Sequence, residues 1–242
     1  MILQLEEVFR RSEQGVLKPF LCRGEDGLAY FVKGPGAGIT CLLAEFIGGR
    51  LARLLDLPVP PFCVVEASPQ LVAACLLENA SELGPGLGFA SRQVENVQEI
   101  SVSTLPRVPL ELQKQILAFD WWIRNEDRHY GAEGGNPNLL WDMRRQELVV
   151  IDHHAAFDKS FDTMAFWTSH IFCAQREIFL DLDFQSQQTA RFTRALDHWE
   201  EVVAAIPSEW LDYLKDFGGD FHIDGVRLNL ERYRLPDFWK IP

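Results

Sequence analysis

The stretch NEDRHYGAEGGNPNLL, Asn125 to Leu140, is followed eleven residues later by IDHH, Ile151 to His154. Asp127, Arg128, His129, Asn136 and Asn138 crowd into it, and Asp152 then closes the apolar run LVVI. Charged and amide side chains are poor material for helix or strand interiors. A plain turn needs only its Asn, Gly and Pro. Two readings compete: a polar hairpin, or an acid, an amide and a second acid gathered around one metal-bound anion. LVVI is continuously apolar, so it reads as a buried strand that delivers Asp152 to a fixed place.

Upstream, two apolar runs flank Glu25-Asp26-Gly27, a hairpin turn signal, and the second run ends at Lys33. GPGAG breaks it. ITCLLAEFIGGRLARLLDLPVPP then reads as a helix stopped before Pro58, with Leu42, Leu43, Phe46, Ile47, Leu51, Leu54 and Leu55 as its apolar stripe. Glu45 lies off that stripe, in line with Cys41, Gly48, Gly49 and Ala52. Such small neighbours let this side of the helix approach a sheet, with Glu45 pointing inward. FCVVEA and LVAACLLENA read as two further strands. The expected layout is α+β: a β-rich lobe with one helix over residues 1–82, a Gly-rich connecting loop over 83–105, and a helical lobe over 106–242. Trp121 and Trp122, at helical spacing with Leu117, read as core.

Phosphoryl transfer relies on positioning and charge neutralisation. It needs a Lys on the phosphates, a carboxylate holding that Lys, metal ligands, and an acid to orient the attacking hydroxyl. Lys33, Glu45, Asp127, an amide downstream and Asp152 occur in an order that suits those tasks. Two oxygen ligands would leave the remaining positions of Mg2+ to water and phosphate.

At these residues the chain resembles the HipA-like kinases, a bacterial branch of the bilobed protein-kinase-like fold. The resemblance rests on YFVKG, LLAEFIGGRLARLLDLPVP, FDWWIRNEDRHYGAEGGNPNLL and VVIDHHAAF, and covers roughly residues 8 to 160. It implies ATP as phosphate donor with Mg2+, Lys33 as the phosphate-binding lysine and Glu45 as its helix partner. By the same resemblance Asp127 is the catalytic acid, His129 helps bind the nucleotide, and Asn138 and Asp152 hold the metal, with Asn136 the alternative amide. Glu78 to Ala80 would form the adenine-binding connector, and Ser12 to Leu17 the loop over the phosphates, with Gly15 its only glycine. The chain departs from the family pattern in three places. YGAEGGNP lengthens the catalytic loop, His154 stands where relatives have glycine, and the phosphate loop is poor in glycine.

The formal charge of 23 minus 35, or −12, disfavours nucleic-acid and anionic-membrane partners. Basic residues reach only pairs, Arg10-Arg11 and Arg144-Arg145. The five cysteines show no C-x-x-C spacing and read as small core residues in a reducing compartment. The N-terminus MILQLEEVFRR lacks a basic segment followed by an apolar run, so a soluble, cytoplasmic protein is expected. The expected acceptor is a Ser or Thr hydroxyl of a protein, the chain's own loops included. The alternatives are a non-catalytic nucleotide-binding module and, from DHH at 152–154, a metal phosphoesterase. The last would need early acidic and His ligands, and the first 60 residues hold no His and no D-x-D.

Overall fold

The computed structural model describes residues 2–12, 17–77, 79–130, 134–217 and 221–241. Strands dominate the first hundred residues and helices the remainder. Strands β1 (Leu3–Arg11), β2 (Phe20–Gly24), β3 (Ala29–Lys33), β4 (Phe62–Ala67) and β5 (Gly86–Arg92) form a closed barrel in the order β1-β2-β3-β5-β4. The β2–β3 hairpin turns where Glu25-Asp26-Gly27 predicts it: Gly27 takes φ 77°, and its amide donates to the Gly24 carbonyl at 2.9 Å. A short parallel pairing of Leu3 with Val65 and Gln4 with Glu66 closes the barrel. Side chains alternate across each strand. Tyr30 and Val32 therefore join Leu5, Phe20, Cys22, Val65, Ala67 and Ala90 in the interior, and Lys33 faces the other way.

Helix α1 (Ile39–Leu54) packs over β5 with the predicted stripe buried, Leu54 only partly. Its glycines allow close approach. A Cβ at Gly49 would lie 2.8 Å from the Phe62 ring, and one at Gly48 equally near the His153 Cβ.

Two expectations fail here. LVAACLLENA is not a strand: Ser68 Oγ accepts from the Leu71 amide at 3.1 Å, and Pro69 starts the short helix α2 (Pro69–Ala74). Serine followed by proline is a helix-start signal that outweighs the apolar run. The stretch 83–105 is not one loop either. It holds β5, which lies between β3 and β4, and the short strand β6 (Val97–Glu99). The glycines that suggested a loop permit tight packing instead, since a Cβ at Gly88 would lie 2.7 Å from the Lys33 carbonyl oxygen. The chain therefore leaves the barrel at 93–96.

Helix α3 (Leu110–Ile123) follows, then the hairpin β7 (Leu139–Asp142) and β8 (Glu147–Val150), which with β6 makes a second sheet. Leu139 pairs with Val150 and Leu140 with Val149, so the LL and LVVI runs meet as expected. Helices α4 (Thr163–Ser169), α5 (Leu182–Asp197), α6 (Trp199–Ala204), α7 (Ser208–Phe217) and α8 (Ile223–Leu230) complete the fold. Trp121 and Trp122 are core: their ring N–H groups donate to the Phe238 and Leu230 carbonyls at 2.9 and 2.7 Å. Trp122 also stacks on Phe192.

Candidate active site

Lys33, at the end of β3, reaches away from the barrel interior toward α1. Its Nζ donates to Glu45 Oε1 at 2.5 Å and to Asp152 Oδ1 at 2.8 Å. Three elements are thereby joined at one ammonium: a barrel strand, the helix over it, and the segment after β8. Lys33 is 7% exposed and Glu45 2%. The second oxygen of Glu45 accepts the His153 amide at 2.9 Å, so this carboxylate also holds the backbone just past Asp152. Asp152 adopts the left-handed conformation, φ 60°, which short acidic side chains tolerate better than most. Its Oδ1 also meets His154 Nδ1 at 2.5 Å.

The charges are unevenly settled. Burial alone would lower the Lys33 ammonium, but the Glu45 and Asp152 carboxylates outweigh it and hold it above the ordinary lysine value. Burial pushes Glu45 above the usual carboxylate range against the pull of Lys33. Asp152 goes the other way: burial would raise it, yet Lys33 and His154 bring it well below its usual value. His154 is raised because its bond to Asp152 overcomes the effect of burial. Glu45, Asp152 and His154 place donor atoms within 4.8 Å of one another, a donor set able to hold a cation.

His153 plays a different part. It is buried edge-on against Phe119 and packed on Gly48, and burial lowers it to about 3, so it stays neutral. A phosphoesterase reading of DHH would need this imidazole as a ligand, and it belongs to the core.

The catalytic-loop candidates form a second group. Asn136 Nδ2 and Asn138 Nδ2 both donate to Asp127 Oδ2, at 3.1 and 3.0 Å. Asn136, the alternative amide, thus converges on the same carboxylate as Asn138. Asn138 is buried at φ 48°, and its carbonyl accepts the Ile151 amide at 3.1 Å, one residue before Asp152.

What ties the two groups together is a residue the motif reading passed over. Arg128 is fully buried and does not pair with its neighbour Asp127. Its Nε donates to Asp120 Oδ2 on α3 at 2.7 Å, and its Nη1 to the carbonyls of Asn138 at 2.6 Å and Ile151 at 3.2 Å. The guanidinium thus fixes the residue before β7 and the residue before Asp152 to the same helix. Asp120 also receives Asn125 Nδ2 at 2.9 Å and His170 Nε2 at 3.0 Å. The Phe172 amide donates to His170 Nδ1, so Nε2 carries the proton. The available signal was Asp120 itself, an acid inside the apolar run LAFDWWI. A buried charge demands a partner.

Among the described residues, His129 and Ala80 do not join this centre. His129 makes a backbone bridge to His170, and no bond links its side chain to Lys33, Glu45 or Asp152 among the described residues. Ala80 is buried in a 3-10 turn, Ala80–Glu82, whose backbone abuts Gly34 and Gly36 at the end of β3. It is not where the chain leaves the barrel. From there the chain runs on into β5 and leaves the barrel at 93–96. Glu78 and Gly15 lie outside the described residues.

A strand lysine, a helix glutamate and an acid after a buried strand meet here, beside a loop carrying Asp127 and Asn138. The sequence profile of the HipA-like kinases matches residues 5–242. The chain belongs to that family. Comparison with curated proteins yields no match. Among solved structures, this HipA-like kinase is similar to a Helicobacter pylori proinflammatory kinase, CtkA, with 11% identity and a TM-score of 0.41 over 89% of this chain and 90% of the other.

Proposed function

We propose that this HipA-like kinase transfers the γ-phosphate of ATP to a Ser or Thr hydroxyl of a protein, its own loops included. The observation that carries the reading is the Lys33 ammonium held between Glu45 and Asp152, residues 12 and 119 positions away. The barrel then acts as the smaller lobe and the helical part as the larger.

The residues suit a magnesium-bound nucleotide. Asp152 Oδ1 already meets three donors, Lys33 Nζ, His154 Nδ1 and the His154 amide, which marks it as the oxygen to which positive charge is drawn. Asp152 and the Asn138 amide would hold the metal, and the ion would neutralise charge on the phosphates. Lys33 binds phosphate oxygens, and Glu45 keeps its ammonium aimed at them. Asp127 accepts a hydrogen bond from the acceptor hydroxyl and takes its proton as that oxygen attacks. The two amides on Asp127 Oδ2 fix the carboxylate's rotation while Oδ1 faces the acceptor. The acidic surface favours a protein acceptor over a lipid, because approach to an anionic membrane rewards clustered basic residues. No helix among the described residues is long and apolar enough to cross a membrane.

The test is incubation with labelled ATP and magnesium, with and without anionic vesicles. Label on Ser or Thr of protein, abolished in Lys33→Ala and Asp152→Ala, is expected. Asp127→Asn should lower transfer by roughly 10²–10⁴-fold while ATP affinity is retained. Label on lipid alone would sink the protein assignment. Transfer at parental rates in Lys33→Ala would place the site elsewhere.

A further inference from the structure

His154 borders a cavity of about 620 Å³. Its walls are the start of α1 at Thr40 and Cys41, Arg124 at the end of α3, the segment from His154 to Ser160, and α8 with Asn229. That size is in the range of small-molecule sites, roughly 300–1,000 Å³.

The wall has polar groups that the described part of the protein leaves unanswered. Arg124 Nε is buried without a hydrogen-bond partner, and so are both Nδ2 and Oδ1 of Asn229. Buried donors and acceptors are normally paired, and each exception calls for an explanation. Burial lowers Arg124 from its usual value with no carboxylate opposing the shift. Beside it stands a second guanidinium, Arg232, committed to the carbonyls of Asn229, Trp121 and Trp122. Burial and the charge of Arg124 together bring Arg232 down to about 10, so the two cations repel each other. Arg124 also sits at φ 54°, an uncommon conformation for a long side chain. The acid nearest in the lining, Asp158, is engaged by the amide and hydroxyl of Ser160. In a chain of net charge −12, Arg124 sets a cation on the wall of an open volume with no acid paired to it among the described residues.

We propose that the cavity binds a small-molecule oxyanion, a phosphate or carboxylate group paired with the guanidinium of Arg124. Such a ligand touches the first turn of α1, the helix of Glu45, and the segment that begins two residues after Asp152. It therefore bridges the two elements whose carboxylates hold Lys33 and acts as an effector of nucleotide binding. The effector role rests on the kinase reading; the binding site does not.

The probes are inorganic phosphate and citrate, titrated calorimetrically into the whole chain. Binding by at least one is expected. Arg124→Gln should weaken it on the order of tenfold, and Lys33→Ala should leave it intact. Urea unfolding of each variant separates lost binding from lost structure. Absence of binding by both anions, or binding that survives Arg124→Gln, overturns the site. ATP affinity measured with and without the bound anion should differ severalfold. Equal affinities overturn the effector role while the site stands. Anion binding by a chain that fails to bind ATP overturns the kinase reading instead.

Discussion

Two clusters of buried charge meet at Ile151 and Asp152, and they are settled in opposite ways. Around Asp120, one carboxylate receives Arg128, Asn125 and His170, and all are buried. Burial would raise Asp120, but Arg128 and His170 outweigh it and bring it down to about 2. Burial lowers His170, which stays neutral, so the cluster is one anion and one cation with the carboxylate's partners in place. Around Lys33, two carboxylates share one ammonium, and an imidazole competes with it for Asp152. Glu45 is driven up, Asp152 is driven down, and Asp152 keeps 24% of its side chain exposed. A buried network whose carboxylate is fully bonded holds shape, whereas a cluster with unevenly placed charge still has something to gain from a ligand. Arg128 belongs to the first cluster and positions the second.

The largest expected effect breaks that division of labour. Arg128→Ala strands a buried carboxylate and should cost roughly 3–5 kcal/mol in urea unfolding. Arg128→Lys should not restore it, because one ammonium cannot reach Asp120 and two loop carbonyls with the same fork geometry. An unchanged urea midpoint in Arg128→Ala would mean that the Asp120 cluster is not the frame.

Acid should act next. Asp120 is lower in the folded chain, about 2, than its ordinary 3.8. Its contribution is therefore complete above about pH 4 and lost as pH falls through the folded value, a decline of about 2 kcal/mol. His170, neutral when folded, adds a loss of the same sign below its ordinary value. Stability measured from pH 5 to pH 2 should fall less steeply in Asp120→Asn. Parallel curves would show that Asp120 does not carry the acid sensitivity.

Lys33→Met should cost less than the Arg128 change, about 1–2 kcal/mol, because Glu45 can take up a proton when the ammonium is gone. A loss as large as that of Arg128→Ala would erase the contrast between the clusters. The smallest effect is expected at the catalytic loop. Asn136→Ala removes one of two donors to Asp127 Oδ2 and should cost about 1 kcal/mol with magnesium dependence unchanged. Asn138→Ala should shift the magnesium dependence of nucleotide binding. The reverse pattern would exchange the two amides.

Much of this centre was readable because its parts are local. YFVK ends a strand at Lys33, the small-residue stripe turns Glu45 inward, and LVVI delivers Asp152; each follows from periodicity over a few residues. The NEDRH loop was likewise legible as chemistry, since its density of polar groups exceeds what a turn requires. The partners were harder to see. Arg128 could be assigned to Asp127 one residue away or to Asp120 on the preceding helix, and sequence distance favoured the wrong one. Glycines at 86 and 88 looked like a loop because their usual meaning is turn, whereas here Gly88 admits the Lys33 backbone and Gly86 takes φ 116° at the start of β5.

By itself the sequence determined the class of fold, the strand and helix that carry Lys33 and Glu45, and the buried strand before Asp152. These rest on side-chain periodicity and turn chemistry, which act between near neighbours. Only the tertiary structure decided that the barrel extends through β5, that His153 is core, and that Asn136 and Asn138 converge on one carboxylate. It also decided the pairing of Arg128 with Asp120 and the sharing of Asp152 between Lys33 and His154. Those outcomes depend on which charges are desolvated together, and desolvation is set by packing between segments as much as 119 residues apart.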